Sequence, residues 1–237
     1  MTGRRLPSTN SVRGPPARHP HIVIILPINR ITAMKTVITI SRQYGSGGRE
    51  IGQALAAHYG IPFYDKNVAE LSAAITGFTP HVVEKLEDSV PDIMSYQYYG
   101  FLPQPMPLSD QVFFAQADVI RRVAAEGPCV IVGRCADYIL RQHPRCLHFF
   151  IHAPLAQRVS RVMEREHCTE AEARAHIKAT DRNRAAYHEF YAQGGWGKAE
   201  SYHAALSSAF GISCCTEALI RLIDLAEEQA ETTSSHA

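Results

Sequence analysis

No apolar run in this chain approaches the ~20 residues that a membrane-spanning helix needs, so no membrane partner is expected. An excess of charge is missing as well. Lys and Arg number 24 against 23 Asp and Glu, a balance that gives no electrostatic reason to expect nucleic acid or an anionic surface as a partner. The six cysteines, at 129, 135, 146, 168, 214 and 215, form no paired C-x-x-C spacing, and no H-E-x-x-H motif occurs. That argues against a zinc site and for reduced thiols in a cytoplasmic protein. Acidic side chains are absent before Glu50, while Arg4, Arg5, Arg13, Arg18 and Arg30 stand among prolines. Residues 1–33 are therefore expected to be a disordered extension. HIVIIL at 21–26 could form a strand, although Pro20 and Pro27 bracket it. Two alternatives for this segment stay open: translation that starts at Met34, and an organelle-targeting peptide, whose composition is Arg-rich and acid-free.

What is present begins with Thr36 to Gly52, TVITISRQYGSGGREIG. A β-branched apolar segment breaks into a glycine-rich turn and then into helix-compatible sequence, the layout of a phosphate-binding loop. Gly45, Gly47 and Gly48 remove side chains that would keep the backbone from curling its N–H groups around an anion, and a helix opening near Arg49 aims its positive dipole end there. Ser46 lies inside the same turn. Against the G-x-x-x-x-G-K-[ST] pattern three fixed positions depart, with Gln43, Arg49 and Glu50 standing there. Arg49 keeps the charge of the usual lysine as a planar fork of donors. Glu50 falls where a hydroxyl normally meets Mg²⁺, and its carboxylate is the candidate metal ligand.

Past Met34, strand and helix periods alternate. Strands are expected over 36–41, 62–65, 128–132, 146–151 and 203–207. Ile51/Leu55, Phe113/Ala117/Ile120/Ala124, Leu155/Val159/Val162 and Leu219/Leu222/Ile223 mark helices with one apolar face. Nearly all-apolar strands such as CVIV at 129–132 are expected to be buried on both faces. The expected fold class is thus α/β, a three-layer α/β/α sandwich around a mostly parallel five-stranded sheet, with ligands at the strand C-terminal ends. One domain is expected over 34–228, followed by a flexible tail at 229–237. Residues 88–108 interrupt the pattern as a long connection.

Beyond these features, the segments ITISRQYGSGGREIG at 38–52, GIPFYDK at 60–66 and EGPCVIVGRCADYIL at 126–140, with the Arg-rich stretch from Arg158 to Arg184, follow one another in a familiar order. The chain resembles the cytidylate kinase-like family of P-loop kinases from about Met34 to about Leu225. The resemblance implies a P-loop NTPase fold with a helical lid at about 155–198, ATP and Mg²⁺ as cofactors, and phosphoryl transfer to a small nucleotide such as CMP or dCMP. A kinase of another small metabolite and a nucleotide-binding regulatory protein without transfer are the alternatives.

The site residues follow from these readings. Gly45, Ser46, Gly47, Gly48, Arg49 and Glu50 would hold ATP, with Glu50 at the metal. Asp65 ends the strand PFYD and is expected either at the acceptor or as the N-cap of the next helix. Arg134 follows CVIV and can grip an acceptor phosphate bidentately. Related cytidylate kinases carry Gly-Arg-Asp there, whereas Cys135 follows Arg134 here, leaving Asp137 as a base-reading candidate. Arg158, Arg161 and Arg165 share a helical face that could close over phosphates. Asp181 and Arg184 match a D-x-x-R piece of the family's lid, so Arg158 and Arg184 are taken as catalytic with Arg49 and Asp65, and Asp181 as substrate-binding. Gly194, Gly195 and Gly197 around Trp196 suit a flexible joint or a turn with a packed indole. Tyr187, Tyr191 and His188 read as packing, and His148 and His152 as ordinary strand histidines.

Overall fold

A computed structural model describes residues 34–86 and 106–234. The extension at 1–33, most of the long connection at 88–108 and the last three residues lie outside them. Five parallel strands form one sheet: β1 (Val37–Arg42), β2 (Phe63–Tyr64), β3 (Val130–Val132), β4 (Cys146–His152) and β5 (Ala204–Ser207), in the spatial order β2-β3-β1-β4-β5. Every strand lies within two residues of its expected ends. Ile40 pairs with Val132 on one side and Phe149 on the other, which sets β1 at the centre.

Alternation along the strands explains the two helical layers. Ile38, Ile40, Val132, Phe149 and Ile151 face one way, onto α1 (Gly48–Tyr59) through Ile51 and Leu55 and onto the C-terminal helix through Leu219 and Ile223. Val37, Cys129 and Ile131 face the other way, onto α2 (Lys66–Thr76), α4 (Leu108–Glu126) and the short α5 (Ala136–Ile139). Helix α3 (Pro80–Leu86) packs beside α2 and α4 through Val83. The fully buried isoleucines and Phe149 each contribute roughly 1.5–3 kcal/mol of hydrophobic stabilisation. Of the expected apolar faces, Phe113, Ala117, Ile120 and Ala124 are all buried. Leu155 and Leu222 are instead 44% and 43% exposed, the first at a helix start and the second one position off the stripe that Leu219 and Ile223 define.

Helices α6 (Leu155–Glu166) and α7 (Glu170–Ala192) make an antiparallel pair with its own small core, Val159, Val162, Ala173 and Ile177, packed onto Tyr44 of the glycine loop. A capping box of Thr169 and Glu172 starts α7. This pair occupies the segment expected to be a helical lid. The three glycines after it all have positive φ, and Trp196 meets Phe150 edge to face at 5.4 Å, so the segment is a turn with a packed indole. Helix α8 (Ile212–Ser234) runs past the boundary expected at 228, because its helical stripe continues unbroken by Gly or Pro. Among the described residues no helix is long and apolar enough to cross a membrane.

Candidate active site

Strand β1 ends at Arg42, and Gln43 to Gly47 turn the chain back into α1. Gly45 and Gly47 adopt φ of 75° and 83°, values that disfavour any side chain. A Cβ on Gly45 would stand 2.9 Å from the Arg158 carbonyl oxygen, so the loop lies directly on α6. The N-cap of α1 is Gly47 and no side chain caps the helix, which leaves the first-turn N–H groups facing the loop's interior. Ser46 is fully buried with its hydroxyl oxygen unpartnered.

The loop is held from behind by arginines. Arg158 Nη1 donates to the Tyr44 carbonyl at 3.3 Å and to Asp181 at 2.5 Å, while Asp181 accepts the Tyr44 N–H at 2.7 Å. Arg161 donates to the Gly45 carbonyl and to Ser208, whose own hydroxyl donates to the Ser46 carbonyl. Arg184 donates to the Arg42 carbonyl at 3.1 Å. Tyr44 lies under the guanidinium groups of Arg165 and Arg184, at 4.9 and 5.4 Å, and its hydroxyl donates to Glu166. Desolvation would raise the Glu166 carboxyl, but hydrogen bonds from Tyr44, Arg165 and His176 bring it down to about 2. Burial and the Glu166 contact push the Tyr44 hydroxyl up.

The second corner centres on Asp65, 7% exposed. Arg49 donates to it through Nε at 2.6 Å, and Arg42 and Arg134 stand 3.9 and 3.7 Å away. Asp65 stands at the N-cap of α2 but makes no side-chain cap there, and its carboxylate lies among charges. Three consecutive residues after β3, Gly133, Arg134 and Cys135, have positive φ, an unusual stretch of backbone that turns Arg134 toward Asp65. Gly133 has φ of 79°, a conformation that strains other residues, and a Cβ there would push aside the Arg42 guanidinium, whose Nη1 would stand 1.8 Å away.

Both corners open into one cavity of about 450 Å³ that includes the whole glycine loop. Among the described residues, six cationic side chains line it, Arg42, Arg49, Lys66, Arg134, Arg165 and Arg184, against two carboxylates, Glu50 and Asp65. Of the expected site residues, the loop, Arg49, Glu50, Asp65, Arg134 and Arg184 thus share this cavity. Arg158, Asp181 and Asp137 do not line it: the first two brace the loop, and Asp137 is buried against His188 at 3.0 Å. Arg165, expected to close over phosphates with its helical face, does line it, as do His188, read from the sequence as packing, and Arg42, which was not among the expected site residues. The position of Arg42 at the end of the strand entering the glycine loop was the available signal.

A profile of known sequences agrees with this arrangement over residues 37–209, which it matches to the cytidylate kinase-like family. The chain belongs to that family. Its fold is that of a P-loop kinase, and membership supports ATP-dependent phosphoryl transfer. Among solved structures, an uncharacterized protein from Eubacterium ventriosum ATCC 27560 is 28% identical, with a TM-score of 0.62 over 80% of this chain and 99% of that one. A gluconokinase from Sinorhizobium meliloti 1021 is 17% identical, with a TM-score of 0.49 over 83% and 98%. A shikimate kinase from Bacteroides thetaiotaomicron is 14% identical, with a TM-score of 0.48 over 80% and 98%. No curated protein sequence matches.

The residues present fit an ATP phosphate chain, given the buried unpartnered Ser46 hydroxyl, the uncapped helix start and the cationic wall. They also fit Mg²⁺ bound in its usual manner. Glu50 is exposed at the cavity, whereas Asp65 is engaged by arginines, and Mg²⁺ commonly takes one or two carboxylates together with phosphate oxygens and water.

Proposed function

We propose that this chain transfers the γ-phosphoryl group of ATP to a small acceptor that itself carries phosphate, CMP or dCMP. The observation that carries this reading is the charge of the cavity, six cations to two carboxylates, distributed between a glycine loop and a separate arginine corner. Two polyanions meeting end to end need such a wall, because their mutual repulsion opposes approach. An acceptor without phosphate gives the Arg42–Arg134 corner no anion to hold.

In the step proposed, an oxygen of the acceptor phosphate attacks the γ-phosphorus and the bond to the β,γ-bridging oxygen breaks, giving ADP and the acceptor diphosphate. Backbone N–H groups from Gly45 to Gly48 cradle the β-phosphate. Arg49 neutralises charge that develops between the reactants, and Arg165 and Arg184 do so from the lid. Arg134 and Arg42 grip the acceptor phosphate. Asp65 aligns the three guanidinium groups and accepts the proton of the acceptor phosphate. Glu50 would hold Mg²⁺, which supplies Lewis-acid shielding of the phosphate oxygens when bound. Arg158 and Asp181 act through the loop they brace.

An acceptor screen with ATP and Mg²⁺ tests the reading. CMP and dCMP should support ADP formation well above background hydrolysis. Arg134→Ala should raise the acceptor's KM or lower kcat much more than it changes the KM for ATP. Should the protein bind ATP yet turn over no nucleoside monophosphate, the acceptor is another metabolite or the protein is a nucleotide-binding regulator.

A further inference from the structure

Stabilising the charge on a transferred phosphoryl group needs cations that stay in place, and an arginine half in water does not do so unaided. Arg165 lines the cavity with its side chain 47% exposed, so its guanidinium has many rotamers open to it. Tyr44 of the glycine loop restricts that freedom. The centre of its ring lies 4.9 Å from Arg165 Cζ and 5.4 Å from Arg184 Cζ, so one aromatic ring serves two cations of the cavity wall. The ring is itself anchored. Its hydroxyl donates to Glu166 Oε1, the same oxygen that accepts Arg165 Nη2 at 2.8 Å, while Glu166 Oε2 lies 3.0 Å from His176 Nδ1 on α7. Successive residues of a helix do not ordinarily face each other, yet Arg165 and Glu166 pair here with Tyr44 as the partner both share. The Tyr44 backbone is held separately, its N–H by Asp181 and its carbonyl by Arg158. A change of the side chain alone leaves those two contacts in place.

We propose that Tyr44 is a positioning residue for phosphoryl transfer: anchored by Glu166, its ring sets the guanidinium groups of Arg165 and Arg184 at the cavity for the phosphoryl group that leaves ATP. The inference deepens the kinase reading and rests on it. Tyr44 belongs to the loop that would cradle the β-phosphate, whereas the two arginines stand on α6 and α7, so this side chain fixes the spacing between phosphate and cations. A phosphate chain seated in the loop then meets charge already in place, and preorganised charge needs no rearrangement as the transition state forms.

The test combines steady-state kinetics with ATP and CMP, thermal midpoints, and calorimetric titration with MgATP and MgADP. It uses the full chain, Tyr44→Leu, Tyr44→Phe, Arg165→Ala and the double variant of Tyr44→Leu with Arg165→Ala. Tyr44→Leu keeps apolar bulk and loses both ring and hydroxyl, while Tyr44→Phe keeps the ring and loses only the anchor. The Leu variant should lose at least ~10-fold in kcat with the KM for CMP within about threefold, and the Phe variant about threefold in kcat. In the Arg165→Ala background the Leu substitution should cost a smaller factor, since part of its effect runs through that guanidinium. Its preference for binding ATP over ADP should fall as well. Equal factors with and without Arg165 overturn the inference, as does a lowered thermal midpoint with kcat unchanged, in favour of packing. A wild-type kcat in Tyr44→Phe also overturns it, whether or not the Leu variant folds. A wild-type chain that transfers phosphoryl to no acceptor overturns the kinase reading, and the ATP to ADP affinity ratio then decides the inference by itself. A fall of that ratio in Tyr44→Leu supports it and an unchanged ratio overturns it.

Discussion

The glycine loop and the Asp65 corner are both made of arginine and carboxylate, and they use these groups in opposite ways. Behind the loop, Arg158 and Arg161 give their N–H groups to backbone carbonyls of Tyr44 and Gly45, and Asp181 takes the Tyr44 N–H. Those guanidinium groups are occupied by the chain itself. At the corner, Arg42, Arg49 and Arg134 converge on the carboxylate of Asp65 at the wall of the cavity. Position in an Arg-rich segment therefore does not separate an arginine that braces the loop from one that faces the cavity, and Arg184 does both, donating to the Arg42 carbonyl while lining the cavity.

The largest effect that probes this contrast is expected for Arg158→Ala. It leaves the half-buried Asp181, its side chain 18% exposed, without its cation, and chemical denaturation should show a loss of about 2–4 kcal/mol. Because the loop's shape is what changes, the apparent affinities for ATP and acceptor should weaken together. An intact stability with a defect confined to one substrate would move Arg158 into the second class of arginine.

Asp65→Asn should be milder in stability and sharper in function. Arg49, 52% exposed at its side chain, can return to water, so a loss of roughly 1–2 kcal/mol is expected. The kcat/KM for the acceptor should fall at least ~10-fold while the KM for ATP stays within about threefold. Equal damage to both substrates would erase the distinction between the two corners.

Glu166→Gln gives the smallest effect, and one that depends on pH. The carboxyl is held at about 2, below its ordinary value of 4.5. A depressed folded-state value means that its contribution is fully present above about 4.5 and is lost as the pH falls toward about 2. The thermal midpoint of the variant should lie a few degrees below wild type near neutrality, roughly 2–4 °C, and the gap should close across that acidic window. A gap independent of pH would assign Glu166 a packing role beside Tyr44.

Much of the framework was legible in local patterns. Strand positions followed from apolar runs, because a strand covered on both faces must be apolar along its whole length, as Val130–Val132 is. The glycine loop followed from backbone geometry that only glycine adopts without strain, Arg49 from the lysine position of the loop pattern, and Asp65 and Arg134 from standing at strand ends. The lid arginines were legible as a group but not as individuals. Arg158 and Arg184 reach backbone carbonyls 114 and 142 residues away, at Tyr44 and Arg42. No local spacing records which of several arginines on one helix will cross the loop at hydrogen-bonding distance.

By itself, then, the sequence determined the parallel sheet, the phosphate loop and the family, since these depend on periodicity, residue size and φ preference within a few neighbouring residues. Tertiary structure alone decided that Arg158 and Asp181 brace while Arg42 and Arg165 face the cavity. It also decided that Asp137 lies behind His188, 51 residues further along the chain. Both outcomes depend on where α6 and α7 cross the ends of the strands, and that crossing is settled by the packing of Val159, Val162, Ala173 and Ile177 onto Tyr44, contacts that a linear pattern does not encode.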